Sequence, residues 1–198
     1  MARTVDRKVR FEGLVSAAAR VFAEQGVAGT SVSDIVKAAG VAQGTFYLYF
    51  DSKDDVVLAV VERFVDTMIA ALEEAIARPT TSAIDEFRAL CRALSDLTAL
   101  PGAADLSQFL HAPQNRAIHD RMADQLTPRL VPVVQGVIER GVAQGVFAVA
   151  DTHAAAWFVI GGLQSIELVG IPLAELPSAL SAATVLALRV LGCTGGAA

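Results

Sequence analysis

Apolar positions recur along this chain at spacings of three and four and nowhere in strict alternation, so the pattern predicts helices and no strands. Leu14, Ala17, Ala18, Val21 and Phe22 form one stripe, in a helix predicted over about 5–25 and ended by Gly26. A second, shorter stripe joins Val32, Ile35, Val36 and Ala39, leaving Ser33 and Lys37 outside it. Ser31 and Asp34 read S-x-x-D before it, a capping box that satisfies the unpaired amides of a helix start. Gly40 follows at once, and a residue without Cβ lets the chain enter the left-handed region and reverse. Val41 then plugs the angle between two short helices, and Phe46 and Phe50, four apart, face the core. Ser52 and Asp55 repeat the cap, and Val56, Val57, Val60, Val61, Phe64, Met68 and Leu72 carry a long helix that stops before Pro79.

Further helices are predicted near 83–99, 103–111, 114–144, 152–169 and 175–191, with Pro101-Gly102 and Pro113 as punctuation and Asp151 as an N-cap. Pro128 and Pro132 fall inside the third of these, and each removes an amide donor, so a kink or a break into two helices is expected there. The fold class is all-α, with a three-helix helix-turn-helix segment over 1–53 and a helical body over 54–198.

The segment after the turn has a chemical character of its own. Ala42, Gln43, Gly44 and Thr45 present only small or amide side chains, a face that can approach another surface closely. At the start of a recognition helix, Gln43 can pair bidentately with adenine and Thr45 can touch a thymine methyl. Tyr47 and Tyr49 keep hydroxyls available for phosphate oxygens, and Lys53 stands in the first turn of a new helix, where an anion is favoured. Taken singly, a glycine after two alanines is any helix end, and Y-x-Y-F is any aromatic cluster. In register, A-G-V-x-x-G-T-F-Y-x-Y-F-x-S-K, from Ala39 to Lys53, resembles the TetR family of transcriptional regulators.

That resemblance implies a dimeric, all-helical regulator of operator DNA, whose body binds a small molecule and then releases the DNA. Carried onto matching positions, it makes Gln43, Gly44 and Thr45 base-reading residues, and Tyr47, Tyr49 and Lys53 backbone contacts, with Ser31 and Ser33 as phosphate contacts of the preceding helix. Three positions depart from the family's habit: Ser33 replaces a frequent basic residue, Val36 a common alanine, and Ala42 a frequent serine.

Composition adjusts this picture in three ways. With 54% hydrophobic residues in 198, the chain has ample material for a core, and a mean hydropathy of +0.49 requires that a membrane span be tested. The longest apolar stretch, Ala154 to Leu163, is about half a spanning length, and the N-terminal basic residues precede no apolar signal region, so a cytoplasmic protein without membrane attachment is expected. The net charge is −5, yet residues 1–53 hold seven basic against five acidic side chains, and the remainder nine against sixteen. A mildly basic head before an acidic body suits DNA binding through one face, since phosphate contacts are local and screened. Arg3, Arg7, Lys8 and Arg10 are either a backbone-touching arm or a solvated charge run.

Cys91 and Cys193 have no C-x-x-C spacing, and His111, His119 and His153 are too dispersed for a metal pair on one helix. No nucleophile elbow, phosphate loop or zinc motif occurs, so no enzyme, metal or cofactor is expected.

In the body, Trp157, Phe158, Gly161, Gly162, Ser165 and Leu168 on one helix, with Leu176, Leu180, Ala183, Ala187 and Val190 on the next, mix small and large residues at helical spacing. The resemblance implies that these two C-terminal helices form a homodimer, fixing the distance between two recognition helices on a pseudo-palindrome. It also places Met68, Phe87, Cys91, Phe109, Met122 and Trp157 on helices enclosing an effector cavity, along with Leu90 and Leu94. His111, Gln164 and Gln108 are the sparse polar contacts, and an intrachain core is the competing reading for the apolar ones. The expected function is a ligand-responsive repressor released by a small apolar or aromatic effector. An effector-independent regulator or activator, and an enzyme with a helical body, are the alternatives.

Overall fold

The computed structural model describes residues 2–78, 80–100, 102–168 and 175–193. Pro79, Pro101, Val169, the tail from 194, and the side chains of Arg3 and Leu168 lie outside the described residues. Among those described there are nine α-helices and no strand, as the periodicity predicted. They are α1 (Ala2–Gln25), α2 (Val32–Ala39), α3 (Gln43–Phe46), α4 (Lys53–Ala77), α5 (Ala83–Thr98), α6 (Ala103–His111), α7 (Arg116–Ala143), α8 (Thr152–Leu168) and α9 (Leu176–Val190). A 3-10 turn at Pro113–Asn115 precedes α7.

The chain divides into two compact units, Met1–Asp66 with Leu100–Met122, and Thr67–Ala99 with Ala123–Ala198, two of the boundaries falling inside α4 and α7. In the first, α1 packs on α2 and on α6. The stripe Leu14, Ala17, Ala18, Val21 and Phe22 is buried throughout, and Ile35, Val36, Phe46, Val56, Val57 and Val61 close over it. Gly26 ends α1 at φ +75°, its amide donating to the Phe22 carbonyl at 2.9 Å. Gly102, at φ +79°, is needed for a second reason: a Cβ there would lie 2.6 Å from the Cα of Ala23, so the start of α6 rests directly on the end of α1.

The second unit is locked by polar contacts that reach far along the chain. Nε and Nη2 of Arg140 both donate to one oxygen of the buried Glu86, at 2.7 and 2.6 Å. Ser82 caps α5 by accepting from the Ile84 amide, and the amide of Ala83 donates to Gln144 at 2.8 Å. Phe147 meets Phe87 edge-on with ring centroids 6.5 Å apart, and it lies so close over Gly141 that no Cβ would fit there. Asp151 caps α8 as predicted, accepting from the Ala154 amide at 2.9 Å.

Of the kink or break expected at Pro128 and Pro132, the break does not occur: α7 runs through both as one helix. The two prolines are four residues apart and both exposed, so the missing amides fall on one stripe where water can take the unpaired carbonyls. The opposite side keeps Leu126, Leu130, Val131, Val134, Val137 and Ile138 buried.

Candidate DNA-reading site

Each piece of the predicted turn has a partner that fixes it. The Ser31 hydroxyl accepts from the Asp34 amide at 3.2 Å and donates to the Asp34 carboxylate at 2.6 Å, while the Ser31 amide donates to the same carboxylate at 2.9 Å. These bonds, the hydroxyl's first and then the amide's, hold the Asp34 carboxyl below its ordinary value. At the other end of α2, Gly40 sits at φ +67°, with the Gly40 and Val41 amides donating to Lys37 and Val36. Arg20 of α1 donates to the Ala38 carbonyl at 3.0 Å, satisfying another acceptor of that last turn.

α3 is only four residues long and has no side-chain cap, so its position comes from packing. Phe46 is completely buried and Phe50 nearly so; their rings lie 5.4 Å apart, and Phe11 of α1 stacks 5.2 Å from Phe50. With residues 46 and 50 turned inward, the chain between them must face out. Gln43, Gly44 and Tyr47 are exposed, Thr45 and Tyr49 half-buried. A Cβ on Gly44 would meet nothing within 4 Å, so no internal contact demands this glycine. Neither tyrosine hydroxyl has a hydrogen bond among the described residues. The Arg7 guanidinium lies 5.9 Å from the centre of the Tyr49 ring.

Ser33 is exposed on α2, beside the Ser31 cap. Lys53 has a different setting. Its ammonium donates to the carbonyls of Val27 and Thr30, both at 3.0 Å, which ties the start of α4 to the loop before α2 and leaves one N–H. The amides of Asp51 and Ser52 go to the Asp55 carboxylate, and the Asp55 amide goes to Ser52. The structure adds one residue to those expected: Leu48 is 71% exposed beside Tyr47. The burial of positions 46 and 50 implied that outward direction.

The eight body residues expected around an effector are divided between the units. Met68, Phe87 and Cys91 are buried in the second, and burial pushes the Cys91 thiol up. Phe109 and Met122 pack against the core of the first, where His111 donates Nδ1–H to the Ser107 carbonyl at 2.8 Å. The His111 ring lies 5.1 Å from that of His119. Trp157 is 49% exposed, its indole N–H donating to His153 at 3.1 Å, and Gln164 is half-buried. Of the eight, Cys91 alone lines a half-open groove between α5 and α9. No group of three or more His, Cys, Asp and Glu residues suited to a metal ion occurs among the described residues, and no helix there is long and apolar enough to cross a membrane.

A capped helix, a left-handed glycine turn and a short helix seated by aromatics define a helix-turn-helix DNA-binding head on an all-α chain. Residues 14–60 match the family model described as bacterial regulatory proteins, tetR family. Over 141 residues the chain is 32% identical to the HTH-type transcriptional repressor KstR2 of Rhodococcus jostii, covering 68% of this chain and 66% of that protein. It is 25% identical over 139 residues to the fatty acid metabolism regulator protein of Bacillus subtilis, covering 70% and 71% of the two. A TetR-family transcriptional regulator of Pectobacterium atrosepticum superposes with a TM-score of 0.79 at 28% identity, covering 94% of this chain and 96% of that one. The chain belongs to the TetR family of transcriptional regulators.

Proposed function

We propose that this protein is a ligand-responsive repressor that binds a pseudo-palindromic operator as a homodimer and is released by a small effector with a substantial apolar part. The observation that carries the DNA-binding half is the outward face of residues 43–48: Gln43, Gly44 and Tyr47 stand exposed on a turn whose own caps and core contacts are satisfied without them. On this reading Gln43, Gly44 and Thr45 meet base edges in the major groove, while Ser31, Ser33, Tyr47 and Tyr49 meet phosphates. Lys53 adds the one N–H that its two carbonyls leave over.

Support for the dimer comes from α8 and α9. Ala154, Trp157, Phe158, Gly161, Gly162 and Ser165 are exposed along a single stripe of α8, and Leu186 and Val190 are exposed on α9 at 59% and 50%. A Cβ on Gly161 or Gly162 would meet nothing within 4 Å in this chain, so neither glycine is required by the subunit's own packing, and both permit close approach of a second helix. The repressor role rests on likeness to a relative named as a repressor, KstR2. Effector release is a population shift: the ligand must bind the DNA-incompetent body more tightly than the competent one.

Footprinting on the DNA upstream of the gene tests the whole reading. Two protected half-sites about one helical turn apart, protected by a dimer, are expected. No protected site at physiological salt, or protection by a monomer, would overturn it.

A further inference from the structure

The groove between α5 and α9 lies within the second unit and encloses about 620 Å³, a volume in the range of small-molecule sites. Its chemistry is asymmetric. Arg88 and Arg92, one turn apart on α5, bring two guanidiniums to it, and no acidic side chain lines it. Arg88 has Asp85 at 3.8 Å on the same helix, outside the lining, whereas Arg92 is exposed and has no ion pair among the described residues. The opposite wall is apolar, with Leu180, Val185 and Leu188 from α9 facing Cys91 from α5. Ser95 and Ser181 also line it, and the Thr184 hydroxyl donates to the Leu180 carbonyl.

A site that is cationic on one side and apolar on the other matches a molecule built the same way. We infer that the α5–α9 groove binds an anionic amphiphile, its carboxylate or phosphate on Arg88 and Arg92 and its hydrocarbon against Cys91, Leu180, Val185 and Leu188, and that this ligand is the effector. The inference rests on the ligand-responsive reading above and names the ligand's class. The placement also supplies a route for regulation. On α9, where each residue turns about 100°, Ser181, Thr184 and Leu188 look into the groove, while Leu186 and Val190 occupy the opposite, exposed face proposed for dimerisation. A ligand entering between α5 and α9 therefore presses on the helix that sets the spacing of the two heads.

The test uses the full chain with dodecanoate, dodecyl phosphate and uncharged 1-dodecanol, measured by titration calorimetry and by operator retardation. Arg88→Met/Arg92→Met removes both charges from solvent-accessible positions without touching the apolar wall, and Ser181→Phe fills the groove from an exposed position. Dodecanoate or dodecyl phosphate is expected to bind the native chain and release the operator; the stronger of the two identifies the headgroup. The double arginine variant is expected to lose about tenfold or more in affinity for both anions and none for dodecanol, and Ser181→Phe to weaken all three. Equal binding of dodecanol and the anions by the native chain, anion binding undiminished in the double variant, or no binding at all would overturn the assignment. The two readings fail separately. Anion binding in the groove by a chain that retards no operator removes the regulator, while operator release by another compound in the double variant keeps the regulator and removes the groove as its effector site.

Discussion

Replacing Gly161 and Gly162 together by alanine tests whether α8 is a pairing surface, because the sign of the effect differs between a subunit alone and a subunit paired. Both residues lie inside α8, and a methyl on either meets nothing within 4 Å in its own chain, so the internal effect is helix propensity with no clash to offset it. Glycine is less favourable than alanine by about 0.8–1.0 kcal/mol in a helix interior, so the pair should stabilise the subunit by about 2 kcal/mol. In a chain of this length that raises Tm by roughly 4–8 °C. In the proposed dimer the same methyls would enter the helix crossing from both subunits, beside Trp157 and Phe158, where overfilling costs about 1–3 kcal/mol. That weakens association by roughly 5- to 150-fold. Sedimentation equilibrium gives the dimer constant, and urea unfolding at subunit concentrations well below it gives the stability of the separated chain. A stabilised chain with unchanged or tighter association would refute the pairing surface. Gly141→Ala is the control: its methyl would collide with the Phe147 ring, so overpacking of about 1–3 kcal/mol should outweigh the propensity gain and lower stability.

The remaining tests address the head. Lys53→Met removes two charged hydrogen bonds to backbone carbonyls and should cost about 1–3 kcal/mol of stability by urea unfolding; its operator affinity should also show a log–log salt slope shallower by about 0.9, and an unchanged slope would reduce the lysine to a structural pin. Ser31→Ala should cost about 0.5–2 kcal/mol through loss of the α2 cap, and full stability in that variant would contradict the capping geometry. Because the Asp34 carboxyl is held below its ordinary value in the fold, its contribution is present above the unfolded value and is lost as pH falls through the folded one; the urea midpoints of the native chain and Asp34→Asn should therefore converge as pH is lowered from 6 to 3, and a constant gap would show that the charge is immaterial. Tyr47→Phe should leave stability unchanged, since the hydroxyl has no hydrogen bond among the described residues, while operator binding weakens by about 0.5–1.5 kcal/mol; Gln43→Ala should relax discrimination at one base pair by about 1–3 kcal/mol, and unaltered ranking of operator variants would remove Gln43 from base readout.

Reading the sequence found the elements whose signal lies within a few residues. The α1 stripe, the S-x-x-D caps at Ser31 and Ser52, the reversal at Gly40 and the burial of Phe46 and Phe50 all follow from spacings of three or four, which a helix converts directly into neighbours. It missed the acceptors of Lys53, because the carbonyls of Val27 and Thr30 lie 26 and 23 residues away and carry no side-chain signature. The Gln144 bond to the Ala83 amide and the Glu86–Arg140 pair were hidden for the same reason. The body residues show a second limit. An apolar residue at helical spacing announces that it leaves water, and not what it meets. Phe87 is in the core, Phe109 and Met122 lie against the head's own core, and Trp157 is half exposed, yet one pattern selected all four. The helix through Pro128 and Pro132 shows a third: two breakers four residues apart share a face, and exposure of that face decides their cost.

The shortness of α3 separates what this head must keep from what it can vary. Four residues cannot nucleate a helix alone, so the reading element stays in place only because Phe46 and Phe50 fill the core and Gly40 turns the chain onto them. Lys53, from the far side of the turn, clamps the loop that leads into α2. Those residues are committed to the fold. Gln43, Gly44, Tyr47 and Leu48 have their side chains, or in Gly44 the space where one would sit, facing outward. Substitution there should cost the head little stability, since no buried contact is removed. If these exposed residues meet DNA as proposed, one scaffold can take on a new operator without first being re-stabilised, and the DNA sequence preference of this protein is expected there and not in the well-packed aromatics.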